Sequence, residues 1–332
     1  MWNKLFTILA IIAMATVSHS ADLKCNWIDE FCTLPTITGV TNANEVINVV
    51  SKPANYVNTA TTFMSFNYTV IYKIPVNVFN IFKNLNSFGL NYCPKLTLTT
   101  DAFINCDALK YIQISYTANI TYVPEGFAQK CVNLLGVRLD YNGIDYVDKN
   151  AFKGLSKLQV IWLNGNRITC LHPDLFQNTL AIQVLYLQFN KITAIDQNLF
   201  RNLRIITSVN LSNNLITHLP PLIFPANPLQ QFLIVFYINP IAAIKPDFCN
   251  TFANRPSTSL DSIKFQSGSC FPTSNTVYTI TKQNCQTVAS YFQGCYSKWT
   301  SAMSVVAQCE MPPMCISPEL YMKFLEFMKT NP

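Results

Sequence analysis

Charge is scarce in this chain. Asp, Glu, Lys and Arg make up 12% of its 332 residues, against roughly a quarter in an average soluble domain. The formal net charge of +6 is spread thinly, with no run of five basic residues. Nucleic-acid binding concentrates Lys and Arg, so no nucleic-acid partner is expected. Glycine is rare too, at nine residues, which leaves little for Gly-rich phosphate cradles. Histidine occurs three times, and no paired carboxylates or metal-ligand spacings converge with it. The sequence therefore predicts no metal, no cofactor and no enzyme. Past the first twenty residues there is no uncharged apolar run of 18, so no membrane span is expected, since a spanning helix takes about 20 apolar residues.

Half of the chain is hydrophobic, which excludes a disordered polymer. Lys4 is followed by an apolar run from Leu5 to Val17 and then Ser18-His19-Ser20. That order is the pattern of a secretory signal peptide over residues 1–20. The twelve cysteines suit an oxidising compartment. Asn67, Asn119 and Asn210 each open an Asn-x-Ser/Thr sequon, a glycan acceptor in the secretory pathway. The expectation is a secreted, extracellular glycoprotein.

An internal repeat organises the middle. Phenylalanine recurs at Phe79, Phe103, Phe127, Phe152, Phe176, Phe200, Phe224 and Phe248, at intervals of 24 or 25. Ahead of each Phe stands an apolar pair at strand spacing, both side chains on one face. The pairs run from Met64/Phe66 through Val137/Leu139, Ile161/Leu163 and Leu185/Leu187 to Leu233/Val235. The best units place Asn ten residues before the Phe, at Asn142, Asn166, Asn190 and Asn214. Cys93, Thr69, Thr117 and Ile238 hold that place elsewhere. A buried amide there can satisfy backbone groups at the bend after the strand.

Leu158-x-x-Ile161-x-Leu163-x-x-Asn166-x-Ile168-x-x-Leu171 resembles the leucine-rich repeat. The 24-residue unit with a late Phe is similar to the extracellular class found in Toll-like and Slit-type ectodomains and in small secreted invertebrate proteins. The resemblance implies an α/β solenoid, a horseshoe of about eight units with a parallel β-sheet on its concave side and the Phe column on its convex side. It divides the chain into an N-terminal cap over 21–58, the solenoid over 59–249 and a Cys-rich, partly helical C-terminal cap over 250–332. Asn239-Pro240 looks like the start of that cap. The function implied is recognition of an extracellular protein or glycan, in innate immunity or cell-surface signalling. Oligomerisation with a structural or inhibitory role is the second reading.

Cys106 and Cys131 occupy the same column in adjacent units, so a bridge between them is expected. Cys93 and Cys170 lie three repeats apart, too far to pair with each other, and both read as buried free thiols. Cys25 and Cys32 would staple the N-terminal end. For Cys249, Cys270, Cys285, Cys295, Cys309 and Cys315, sequential pairing is one of about 15 possibilities.

Residues that alternate with the buried pairs face the hollow. Among them Arg138, Val160, Trp162, Val184 and Tyr186, with Tyr141 and Phe189 just past the strands, form one contiguous aromatic–aliphatic patch. Exposed Trp, Tyr and Arg are the residue types enriched at binding hot spots, so these seven are the expected ligand-binding residues. Tyr68, Tyr92, Tyr116 and Tyr141 form a column beside them. In this register Phe232, Ile234 and Phe236 also face the hollow, covered by the C-terminal cap. Asn67 and Asn210 project there too, and glycans on them would confine a ligand to units 137–189.

Overall fold

The computed structural model describes residues 63–220 apart from 69, 75–77 and 101, then 223, 231–241, 243–244, 248–252, 261–266 and 277–286, together with the strands Ser20–Leu23, Asn26–Ile28, Phe31–Thr33 and Val46–Val49. The expected signal peptide, Cys25, Cys270, Cys295, Cys309, Cys315 and the C-terminal helices lie outside the described residues.

Every repeat contributes one short strand to a ten-stranded sheet. From Phe63–Asn67 through Val160–Trp162 to Ser262–Gln266 the pairing is parallel and in register, one turn to the next. Val277–Thr281 then joins antiparallel. Parallel neighbours require a crossover between strands. Here the crossover is the convex arc of each repeat, built mostly from turns, with a helical turn at Val78–Ile81 and a 3-10 turn at Phe248–Phe252. The result is a parallel-strand solenoid of about seven turns, in which each unit buries its apolar face against its neighbours. Among the described residues no helix is long and apolar enough to cross a membrane.

The alternation within each strand explains the two faces. In Val160–Trp162, Ile161 is buried while Val160 and Trp162 are half-exposed; Val184–Tyr186 repeats the pattern. The Phe column lines the convex side of the core. Ring centroids are 5.7 Å apart at Phe79–Phe103, 6.2 Å at Phe103–Phe127, 6.4 Å at Phe127–Phe152 and 6.3 Å at Phe152–Phe176.

At the strand ends the side-chain amides form a continuous ladder. Asn166 Oδ1 accepts from the Asn142 and Ile144 N–H groups, while its Nδ2 donates to Leu139 and Leu163 carbonyls. Asn190 and Asn214 repeat this one turn on. Thr117 and Cys93 extend it toward the N-terminus: Thr117 Oγ1 accepts from the Cys93 N–H, and the buried Cys93 thiol donates to the Asn91 carbonyl.

The structure corrects the register of the turn at 232–239. Ser208, Val209 and Asn210 pair with Leu233, Ile234 and Val235. Phe232, Ile234 and Phe236 are therefore core, fully buried, and Leu233 and Val235 face the hollow. Asn239, not Ile238, is the ladder residue: its Oδ1 accepts from Ile216 N–H and its Nδ2 donates to Leu211 and Phe236 carbonyls. Ahead of its strand this turn holds one residue more than each of the two turns before it. A one-residue slip exchanges the two faces of a strand. The Phe200 ring meets Phe232 at 6.3 Å, which anchors the shifted strand to the spine.

Cysteine chemistry agrees at the Cys106–Cys131 bridge and at the buried Cys93 thiol, and differs in two places. Cys106 and Cys131 are bridged, with Cα atoms 5.0 Å apart. Cys249 pairs with Cys285, with Cα atoms 5.8 Å apart; this overturns the sequential scheme that joined Cys249 to Cys270 and Cys285 to Cys295. Folding brings the turn after Val277–Thr281 back beside Phe248–Phe252, so nearness along the chain does not set the pairing. Cys170 is disulfide-bonded and half-buried, not the buried free thiol expected. Its sulfur is thereby unavailable as a nucleophile.

Candidate ligand-binding face

The open face of the sheet carries the expected patch. Trp162 and Tyr186 are direct register partners on adjacent strands. Their rings stack at 5.8 Å and 11°. Arg138 pairs with Trp162 across the next strand boundary. Val160 and Val184 are likewise paired neighbours, so the strand residues form one block. Tyr141 and Phe189 lie just past the strands, 41% and 52% exposed.

Arg138 is held, not free to swing. Its Nε donates to Asp140 Oδ1 at 2.8 Å and an Nη to Oδ2 at 3.0 Å. Asp140 is 1% exposed and accepts a further hydrogen bond from Ser115 Oγ. The Asp140 hydrogen bond holds the Arg138 guanidinium above its ordinary range, against the opposing effect of its own partial burial. The remaining guanidinium N–H groups are directed by this bidentate clamp, whose planar geometry Lys could not reproduce. Nothing in the strand pattern pointed to Asp140 as a buried anchor; the signal available was its place two residues from Arg138 on the same face.

Gly136 lets the rings meet. A Cβ there would stand 2.8 Å from Tyr111 Cδ1 and 3.3 Å from Trp162 Cζ3. Tyr111 and Trp162 thus close over a backbone that has no side chain. Gly136→Val is expected to push both rings apart and to red-shift the emission of Trp162 with little change in melting temperature. Unchanged Trp162 emission would show that the rings do not depend on this gap.

The tyrosine column is a stack. Ring centroids are 4.5 Å apart for Tyr68–Tyr92, 4.9 Å for Tyr92–Tyr116 and 4.9 Å for Tyr116–Tyr141, with planes within 10°. Each of these residues has φ between 52° and 55°, a left-handed conformation uncommon outside glycine. Gly165, Phe189, Asn213 and Ile238 continue the same left-handed column. Ile238 stands there, and not Tyr237, because of the extra residue in that turn. Desolvation, then the neighbouring Tyr68 and Tyr116 phenols, pushes the Tyr92 phenol above its ordinary value.

Asn67 and Asn119 are exposed, and Asn210 is half-buried on the open face. Asn67 Oδ1 accepts from Ser65 Oγ and Asn91 Nδ2; Asn210 Oδ1 accepts from the Ser212 N–H. On the loop side, His172 Nδ1 accepts from the Asp174 N–H. Among the described residues no group of His, Cys, Asp or Glu could hold a metal ion.

Fold and face together define a repeat solenoid with an open, ring-lined sheet. Residues 132–192 and 181–233 match the leucine rich repeat family, and in that stretch the chain is built of such repeats. Among solved structures it is similar to the Toll–Spatzle complex of Drosophila, with 18% identity and a TM-score of 0.50 over 58% of this chain and 25% of that one. It is also similar to the TLR13–ssRNA13 complex, with 19% identity and a TM-score of 0.55 over 65% of this chain and 30% of that one. The chain therefore spans well under half of either neighbour, and at these identities the likeness is one of fold. No curated protein matches the sequence.

Proposed function

We propose that this chain is a secreted, extracellular recognition protein that binds a protein or glycan ligand on the open face of its sheet, in innate immunity or cell-surface signalling. The observation that carries this is the stacked Trp162–Tyr186 pair beside a clamped Arg138. Large rings left partly exposed on a rigid sheet mark interaction sites. The neighbours support the reading: one was solved with Spatzle and is described as a hub in development and innate immunity, the other with a single-stranded RNA. An RNA ligand does not suit this face, because phosphate binding needs clustered cations. Glycans on Asn67 and Asn210 would flank the patch and limit the ligand to the turns between them. Residues 21–58 and 250–332 cap the stack in this reading.

The test is a pull-down from extracellular fluid with the glycosylated chain as bait, against a Trp162→Ala/Tyr186→Ala variant. Partners captured by the first and lost from the second support the proposal. Identical partners on both would remove the patch.

A further inference from the structure

We propose that the gap in the aromatic column at Gly165 is a slot for one pyranose ring of a neutral oligosaccharide, gripped between Tyr141 and Phe189 and hydrogen-bonded by Gln188. The proposal rests on the reading of the open face as a recognition surface and names its ligand class.

From Tyr68 to Tyr141 each turn supplies one ring to the stack, at 4.5–4.9 Å spacing. Gly165 keeps the left-handed backbone of the column, with φ of 70°, but supplies no ring. Phe189 resumes it one turn later. Tyr141 and Phe189 are therefore two turns apart, and both are exposed. Among the described residues no ring covers the faces they turn toward each other. Tyr141 lies directly over Gly165, where a Cβ would come within 2.5 Å of Cδ1, so the floor of the gap must be glycine.

An independent feature lies beside the gap. Gln188 Oε1 is buried and has no hydrogen-bond partner. Buried polar groups are nearly always paired, and each exception calls for a reason. The Gln188 carbonyl accepts from the Gly165 N–H at 3.0 Å, which places this residue against the missing rung. Its side chain shares the open face with Tyr186, two residues earlier. In this proposal Oε1 leaves that buried, unpaired position to accept a hydroxyl proton from the sugar.

Charge selects the class of ligand. Within the strands of the open sheet, the charged side chains on the hollow side among the described residues are Arg138 and Lys264, and the buried Asp140 lies just past the first. Arg138 and Asp140 neutralise each other. Amides take the polar places beside the slot, at Asn164 and Gln188. Around Gly165, rings and amides whose one charged pair is neutralised complement a ligand that is uncharged, rich in hydroxyls and apolar on its C–H faces. A charged peptide would bury its ionic groups there without partners.

The experiment titrates the full glycosylated chain with cello-, laminari-, manno- and chito-hexaose, read by calorimetry and by tryptophan emission, with Trp162→Phe to assign the signal. At least one sugar is expected to bind, and Phe189→Ala and Gln188→Leu are each expected to weaken it about tenfold. Tyr68→Ala, far along the column, should bind normally, and all the variants should melt with the parent. The proposal is overturned if none of the four sugars binds, if neither slot variant weakens binding, or if a tyrosine-rich peptide binds in the slot and the sugars do not. Loss of partners from the Trp162→Ala/Tyr186→Ala variant with no sugar binding would sink the slot and leave the recognition surface standing. Sugar binding with no loss of partners would do the reverse.

Discussion

Asn166→Ala is expected to destabilise the solenoid by about 3–5 kcal/mol, a larger loss than the volume of the side chain suggests. The substitution strands the Asn142 N–H, the Ile144 N–H and the Leu139 carbonyl, all of which depend on this amide. The Leu163 carbonyl keeps a partner, because Asn190 Nδ2 also donates to it. Each buried group left unpaired costs about 1–3 kcal/mol, far more than a made hydrogen bond contributes net. Urea denaturation, with hydrogen exchange to localise the damage, is the measurement. Faster exchange should be confined to the turns carrying Asn142, Asn166 and Asn190, since repeats contact only their neighbours. Asn166→Cys should recover part of the loss, because Cys93 already holds this place and donates to the Asn91 carbonyl. A stability loss below about 1 kcal/mol for the alanine variant would mean the ladder is ornamental, as such a loss is typical of surface positions.

The solenoid was legible in the sequence because the signal is redundant. The Phe column, the strand pairs and the Asn places repeat with one period through most of the stack, and where they agree they fix which side chains point inward. Legibility failed where only one of those signals was followed. Through the turn ending at Phe248 the Phe interval stays at 24, yet Asn214 and Asn239 are 25 apart. The extra residue lies ahead of the strand, so the Asn column reports the register there and the Phe column does not. Disulfide pairing at Cys249–Cys285 was invisible for a different reason. It depends on the antiparallel return of Val277–Thr281, which no periodicity announces. On the open face, alternation was enough to bring Arg138, Trp162 and Tyr186 together. It could not show that Tyr141 leans over Gly165, or that Gln188 Oε1 lacks a partner, because both follow from how rings and amides settle against the turn beside them.

Phe152→Ala tests the other wall of the core and should cost about 3–5 kcal/mol, the range for truncating a fully buried aromatic ring. Phe152 is 1% exposed and packs between Phe127 at 6.4 Å and Phe176 at 6.3 Å. Removing it opens a void inside the stack that neither neighbour can fill, because each is held by its own turn. Phe152→Leu keeps most of the apolar volume and should cost clearly less; the difference between the two variants measures the ring's share. The convex arc carries few regular hydrogen bonds of its own, with Tyr122–Val123 paired to Tyr146–Val147 on one side of this unit. That pairing should loosen along with the spine, so exchange at Val147 rises in Phe152→Ala. The strand Val160–Trp162, pinned on both sides by parallel neighbours, should keep its protection and its tryptophan emission. If Trp162 responds as strongly as Val147, the spine and the open face are one cooperative unit. Substitutions on the convex side would then alter ligand binding without touching it.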